Sequence, residues 1–442
     1  MGFFSGLFKK KETNQTETAA VVRFGRFAEP FETDELYSLR TSADDLYKEG
    51  RMLEAYVTYF NYMSAKGGPA VKLAFNEEIQ TLRFEIIQGS KIVVGFITPQ
   101  DIIVKADVAE FSEINVALMR FLLNQNAELA YSKFAIDENT IFLKQSCPIK
   151  DMSPNTFNNM LAETAIAADS VDDVLVKEFS FLKPVNVQYV VNLPQNEIDA
   201  KLKFIRSQIS FCNETVESTN DENTRTYIIL SCVFKLLWLV SPEGILLDEL
   251  RKIQDIYAEN FDAEQNNSPE INFKMLQALD NLSKQSDDEL RAGLYTVCAV
   301  FPELSYVPFS DTAQAVETLL QLPQACINSR RDDLAGVMCE YIAGLICVRQ
   351  GMNPVAYEMI TIFWRTLYSD YFYQLGFKEM FYNQTAQKLS AVKISQETEK
   401  VVRKCQRIFP TMHFNTANLD YGSLDDFAFS FLREFSMLNI AE

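Results

Sequence analysis

Histidine is almost absent from this sequence, since His413 is the only one in 442 residues. A Ser-His-Asp or Cys-His catalytic site would have to be built on that side chain, and no G-x-S-x-G motif supplies a nucleophile. Most zinc and non-haem iron sites use several imidazole ligands, so the same scarcity argues against them. We therefore interpret His413 as a loop or packing residue and predict no catalytic residue and no metal site.

Glycine is also scarce, at 15 residues, and neither phosphate-binding motif, G-x-x-x-x-G-K-[ST] or G-x-G-x-x-G, is present. The sequence therefore predicts no bound cofactor. Carboxylates are abundant instead, for example Asp169, Asp172 and Asp173 near a helix end. Such groups can act as acids and bases or bind calcium, but in a protein this acidic we interpret them as a solvated face.

Basic residues are outnumbered: 41 Lys and Arg against 60 Asp and Glu give a net charge of −19. This field repels phosphate backbones, and the one dense basic run, at 9–11, is too short to offset it, so we predict no nucleic-acid partner. The 8 cysteines form no C-x-x-C pair, and most lie in apolar stretches such as that around Cys232. This pattern is typical of reduced core cysteines and indicates a reducing, cytoplasmic compartment.

Long apolar runs are lacking too. The longest, 228–240, is interrupted by Lys235 and falls short of the roughly 18 residues that a membrane-spanning helix needs. Four apolar residues at the N-terminus have helical spacing: Phe3, Phe4, Leu7 and Phe8. With the following lysines, residues 3–11 offer a weak membrane-surface contact as one alternative. We instead expect residues 1–32 to be a flexible basic and polar tail, without membrane association.

Residues 33–68 have the small and large apolar spacing of a helical hairpin, broken at Gly50. The hairpin resembles one tetratricopeptide repeat, but no second copy follows, and a single repeat has no stack in which to bury its faces. We therefore predict a lone hairpin that packs on the next domain.

After residues 67–69 the hydrophobic period changes to two. Three runs alternate: Leu82, Phe84 and Ile86, then Ile92, Val94 and Phe96, then Ile102, Val104, Ala106 and Val108. Short turns join them, which predicts an antiparallel meander with one face in water. A helix capped by Ser112 should follow, with a stripe formed by Ile114, Leu118, Phe121 and Leu122. Two more strands, at 131–136 and 140–147, and a helix that begins at Ser153-Pro154 complete the pattern.

This order, β-β-β-α-β-β-α over 69–183, resembles the YbjN-like domain, which shares its fold with type III secretion chaperones. The stretches that carry the resemblance are Leu118-Met119-Arg120-Phe121-Leu122-Leu123-Asn124-Gln125-Asn126, Lys133-Phe134-Ala135-Ile136-Asp137, Ile141-Phe142-Leu143, Pro148-Ile149 and Met152-Ser153-Pro154. The family often has glycine where this chain has Ser132. The resemblance implies a bacterial cytosolic protein with a chaperone-like or regulatory binding role.

Residues 195–442 show helical periodicity throughout and predict a helical region, with helices that include 270–300 and 354–380 and with good caps at Ser241-Pro242 and Asn353-Pro354. Residues 227–279 faintly resemble the tellurite-resistance TerB-like helical domain, through an apolar helix, an acidic-Gly turn at Glu243-Gly244 and an early Glu249. Glu243 stands where that family has Asp, so we carry no metal site across.

The densest aromatic stretch is 363–382, in which nine of twenty residues are aromatic. Aromatic side chains fill cores, and they also dominate the binding energy of protein interfaces. Core packing and a stacked cofactor are both open interpretations. Because the rings extend beyond one helical face, we also predict partner-binding residues here: Trp364, Tyr368, Phe372 and Tyr373.

Together these observations predict an α+β fold: a helical hairpin, a small antiparallel-sheet domain and an all-α bundle. The predicted function is non-enzymatic protein–protein interaction with one or more protein partners, as a chaperone-like or regulatory adaptor that can also form a homodimer. The alternatives are a carboxylate-based, metal-dependent stress protein or enzyme in the helical half, and a membrane-surface adaptor through residues 3–11.

Overall fold

The computed structural model of the chain describes residues 22, 24–29, 31–186, 189–260 and 267–440. The fold is α+β, as the sequence predicts: two helices come first, an antiparallel sheet follows, and helices make up the rest. The segment 3–11, for which a membrane contact was an alternative, lies outside the described residues.

The first two helices form the predicted hairpin. They are α1 (Asp34–Lys48) and α2 (Met52–Gly67). The hydroxyl of Thr33 caps α1 by accepting a hydrogen bond from the Leu36 N–H group, which satisfies one of the free donors of the first turn. The small side chains of Ala43 and Ala55 are fully buried, so the two helices pack closely.

Seven strands follow, with two helices between them. The strands are β1 (Val71–Asn76), β2 (Thr81–Gln88), β3 (Lys91–Ile97), β4 (Asp101–Phe111), β5 (Lys133–Asp137), β6 (Thr140–Pro148) and β7 (Leu182–Pro184). The first six form an antiparallel sheet in the order β1-β2-β3-β4-β6-β5, and β7 pairs with the end of β4. Strand β1 was missed in the sequence, although Val71, Leu73 and Phe75 alternate there as well. The helix is therefore preceded by four strands and not three.

The inward face of β3 also differs from the prediction. The sequence pattern favoured Ile92, Val94 and Phe96 as one set, but the buried set is Lys91, Val93, Gly95 and Ile97. The strand is apolar on both faces, so its periodicity does not identify the inner one. Lys91 is fully buried because it has an acidic partner from a distant part of the chain.

The two helices of this domain are α3 (Val116–Glu128) and α4 (Pro154–Glu178). Ser153 caps α4 as predicted, whereas Asn115, and not Ser112, caps α3. Leu118 and Leu122 are buried in the core, and Phe121 packs partly buried against it. Ile114 lies before the helix and is exposed.

In the described part of the remaining chain the regular elements are mainly helices, with two short strand pairs: β8 (Val191–Asn192) with β9 (Tyr295–Thr296), and β10 (Tyr382–Asn383) with β11 (Lys388–Leu389). The helices are α5 (Gln195–Glu217), α6 (Glu222–Lys235), α7 (Gly244–Asn260), α8 (Ser268–Ser283), α9 (Asp287–Arg291), α10 (Phe309–Leu319), α11 (Gln321–Asn328), α12 (Asp332–Arg349), α13 (Pro354–Leu367), α14 (Ser369–Gln374), α15 (Ala391–Cys405) and α16 (Leu424–Ser436).

Helix α6 continues as a π-helical segment, Leu236–Val240. The stretch Glu222–Val240 is long and apolar enough to cross a membrane, but 78% of its most apolar window is buried inside the protein. This burial identifies it as a core helix.

Two predicted helices end early. The predicted helix 354–380 breaks at Tyr368, and the chain after α14 turns into the β10–β11 hairpin. The predicted helix 270–300 stops at Ser283, and a capping box between Ser286 and Glu289 opens the short α9. Asn353 caps α13 as predicted, but α7 begins at Gly244, because Ser241 has a left-handed backbone conformation.

The sheet domain and the helical region share buried residues. Val300 and Phe301 follow β9 but are buried in the core of the sheet domain. The side-chain oxygen of Gln88, at the end of β2, accepts hydrogen bonds from the N–H groups of both, each at 3.0 Å. The N-terminal segment was assigned to a flexible tail, yet Phe24 is buried against Phe372, with ring centroids 5.0 Å apart.

Candidate partner-binding surfaces

Strand β1 is an open edge of the sheet. In the described part of the chain it pairs with β2 alone, and Leu73 and Phe75 lie half-buried on the inner face, opposite Phe84 and Leu82. An edge strand has backbone N–H and C=O groups without a ladder partner, so an extended peptide can add to it as a further strand.

A groove lies between α2 and the end of the sheet, and it reaches strand β1 at Phe75. It encloses 730 Å³. Apolar side chains from the hairpin, β1 and two turns form most of its wall: Met52, Leu53, Val57, Phe75, Pro99 and Ile149. At its rim, Arg51 is paired with Glu54 at 2.6 Å and with Glu49 at 3.3 Å. The rim charges are thus largely matched within the protein, which favours an uncharged, apolar occupant.

The opposite edge is β5, which is less suited to strand addition. It is only five residues long and has Lys133 and Asp137 at its ends. Short edge strands with charged side chains are a common protection against unwanted pairing. Strand β1 instead has the uncharged residues Val71 and Asn76 at its ends, so the two edges differ in their terminal charges.

Helix α3 has an exposed apolar stripe on the side away from the core. Val116 and Leu123 are 67% and 63% exposed, and Met119 lies between them on the same face. Positions i, i+3 and i+7 lie in line on a helix, so the three side chains form one continuous strip. Such strips are typical of helix-mediated interfaces.

The outer face of the sheet also carries exposed apolar side chains, Phe96 on β3 and its cross-strand neighbour Ile103 on β4. The guanidinium of Arg83 lies 5.8 Å from the Phe96 ring centroid, which shields part of that ring. This face is the predicted wet face of the meander.

The predicted partner-binding residues are divided by the structure. Trp364 and Phe372 are buried in the helical core, where Trp364 packs against Phe363 and Phe372 against Phe24. They are therefore not available to a partner, because their rings are packed inside the helical bundle. Tyr368 is mostly covered, and Tyr373 is 57% exposed. The sequence signal that was missed is the alternation in β1 beside the apolar face of α2.

The acidic residues 169, 172 and 173 were predicted to form a solvated face, which is wrong for their environment. Asp172 is buried and its carboxylate lies 2.6 Å from Lys91 Nζ. The backbone N–H group of Ser90 donates to Asp169 at 2.9 Å, and the Ser90 hydroxyl donates to Asp172 at 2.7 Å. Gly89 precedes in the left-handed region, where any Cβ would overlap with the Asp169 carboxylate.

This polar cluster lies where the sheet domain meets the helical region. Arg26 approaches Asp169 at 3.9 Å and forms ion pairs with Glu243 and Glu303. Burial alone would lower the pKa of Arg26, but Glu243 and Glu303 together have a larger, opposite effect, so the pKa lies above its ordinary value. The cluster thus holds elements from three distant parts of the chain together.

Burial, and secondarily the charge of Asp172, raises the pKa of Asp169 to about 7. The same two causes raise the pKa of Asp173 to about 6, against the effect of Lys91 and of a hydrogen bond that Tyr295 donates at 3.3 Å. Raised carboxyl pKa values also occur in active sites. Here Asp169 accepts a hydrogen bond from Ser90 and Asp173 accepts one from Tyr295, so both carboxylates are held in place by other parts of the protein.

Among the described residues, no group of three or more His, Cys, Asp and Glu side chains is placed to hold a metal ion. His413 is exposed in the loop after α15. No protein-family model matches the chain, and a search of curated proteins finds no match either.

Proposed function

We propose that this chain is a non-enzymatic binding protein of the bacterial cytoplasm that holds an extended, apolar segment of a partner protein along strand β1. The partner's backbone would continue the sheet, and its alternate side chains would enter the groove between α2 and the sheet. The observation that carries the proposal is the coincidence of an open edge strand with the 730 Å³ apolar groove that reaches it at Phe75.

Two further features support this assignment. The resemblance of residues 69–183 to YbjN-like and type III secretion chaperone domains implies protein binding. The half-buried Leu73 and Phe75 have apolar area that a peptide on β1 would cover. A chaperone-like or regulatory adaptor would need a surface of this kind.

The groove is tested with peptides selected on the full chain from a displayed random library. We expect the selected peptides to alternate apolar and polar residues. Phe75→Glu should weaken them about 10- to 100-fold, since it places a charge in the apolar groove and each tenfold change corresponds to about 1.4 kcal/mol. Fluorescence anisotropy with labelled peptides measures this, and hydrogen exchange should show new protection in β1.

Ala74→Glu is the matched control. It adds the same charge to the same strand, but at an exposed position whose neighbours in the ladder face the outer side, so the affinity should change less than about twofold. Equal losses in both variants, or a library that yields no binder, would rule out the groove as the site.

We further propose that the exposed stripe on α3 forms a homodimer interface. The stripe is self-complementary in chemistry, and the two-fold dimer is the commonest symmetric assembly. Leu123→Glu should weaken the dimer at least about tenfold because it buries a charge between apolar faces, whereas Asn124→Glu at the exposed neighbouring position should not. Light scattering over a concentration series measures the mass, and a monomeric wild-type chain would contradict this interface.

A further inference from the structure

A second cavity lies in the helical region, away from the surfaces described above. It encloses 580 Å³ between α5, α12 and the α13–α14 junction. Aromatic side chains form much of the wall: Phe204, Phe211, Tyr368, Tyr371 and Tyr382. Phe204 and Tyr371 stack with ring centroids 4.2 Å apart. Small-molecule sites in proteins enclose roughly 300–1,000 Å³ and are lined mostly by apolar and aromatic groups, so this cavity has suitable size and composition.

Three polar side chains form the floor of the cavity, and the two charged ones are paired with each other. Lys235, which is 1% exposed, places Nζ 2.6 Å from Glu340 Oε2 and donates to the Tyr368 hydroxyl at 3.0 Å. Tyr368 in turn donates to Glu340 Oε1 at 2.6 Å. Burial, and then Glu340, raises the pKa of Tyr368 well above its ordinary value. Lys203 and Asp370 also line the cavity, so the formal charges around it sum to zero: two lysines, one glutamate and one aspartate.

One polar side chain in the wall, Gln208, can form a further hydrogen bond. Gln208 is 7% exposed, and its side-chain oxygen lies 3.3 Å from the Tyr368 hydroxyl, as a weaker second acceptor of the one proton that Tyr368 donates mainly to Glu340. In the described part of the chain, nothing accepts a hydrogen bond from its side-chain NH2 group. Because Gln208 lines the cavity, this NH2 group can donate a hydrogen bond to an acceptor that a ligand brings.

We propose that this cavity binds an uncharged, planar aromatic molecule that carries a hydrogen-bond acceptor such as a ring carbonyl. The stacked rings favour a flat ligand, and the matched floor disfavours a net charge, because either sign would compete with the Lys235–Glu340 pair. The acceptor would pair with Gln208. The sequence predicted no cofactor because no nucleotide motif is present, and a site of this kind needs none.

Nile red is the probe, since it is uncharged and planar, carries a ring carbonyl and fluoresces when it leaves water. We expect saturable binding of about one molecule per chain. Ser207→Trp at the cavity rim should abolish it by filling the space. Gln208→Leu should weaken it about tenfold through loss of the amide donor, equivalent to about 1.4 kcal/mol.

Ser210→Trp is the matched control, because it adds the same ring to an exposed position of α5 that does not line the cavity. It should retain the wild-type affinity. Absence of saturable binding, or equal binding by Ser207→Trp and the wild type, would overturn the proposal. The test is independent of the peptide experiment, because the two sites share no residue.

Discussion

Lys91→Met should destabilise the protein by about 3–5 kcal/mol, the usual cost when a buried ion pair loses one partner. Lys91 is fully buried, and Nζ binds Asp172 at 2.6 Å as well as the carbonyl oxygens of Val108 and Val185 at 3.2 and 3.1 Å. Removal of the ammonium leaves the Asp172 carboxylate in a site with little water. Urea unfolding followed by circular dichroism measures the loss.

The control is Lys72→Met, which removes a lysine from an exposed pair on β1 and should cost less than about 1 kcal/mol. The double variant Lys91→Met/Asp172→Leu removes both charges and should be more stable than Lys91→Met alone. If the double variant is less stable than the single one, the pair is not what holds this site together.

Asp169→Asn should make the protein more stable at pH 8 and have little effect at pH 4. The pKa of Asp169 is raised to about 7 from an ordinary 3.8, so between these values the folded state binds more protons than the unfolded state. The free energy of unfolding therefore falls as the pH rises through this window. A shift of this size corresponds to an upper limit of about 4 kcal/mol at pH 8, at 1.36 kcal/mol per pKa unit.

The asparagine side chain keeps an oxygen that can accept from the Ser90 N–H group, so the turn after β2 should persist. Melting temperatures of the variant and the wild type, recorded from pH 4 to pH 8, give the two profiles. Asp101→Asn, at an exposed position, is the control. Parallel profiles for Asp169→Asn and the wild type would mean that Asp169 does not titrate in this range.

The local features of the fold could be predicted from the sequence. The alternation at 82–86 and 102–108 predicted two strands with the correct inner face, and the Ser153-Pro154 and Asn353-Pro354 caps located two helix starts. These features depend on neighbouring residues only, so a linear pattern contains them.

The missed features depend on contacts between distant segments. Nothing near Lys91 in the sequence indicates that it is buried, because its partner Asp172 belongs to α4. Likewise, the ring-rich segment does not reveal that Trp364 faces the core whereas Tyr373 faces water. The groove at β1 is formed by the hairpin and the sheet together, and the hydrophobic period of each segment does not show how the two pack.

The N-terminal half, up to residue 183, and the helical half each have a residue from the other half in their core. Phe301 fills the interior of the N-terminal half although it is encoded far downstream, and Phe24 does the reverse. A fragment that ends at residue 183 would thus carry a hole where Phe301 belongs. The halves should melt together, and separate expression of either should give insoluble material.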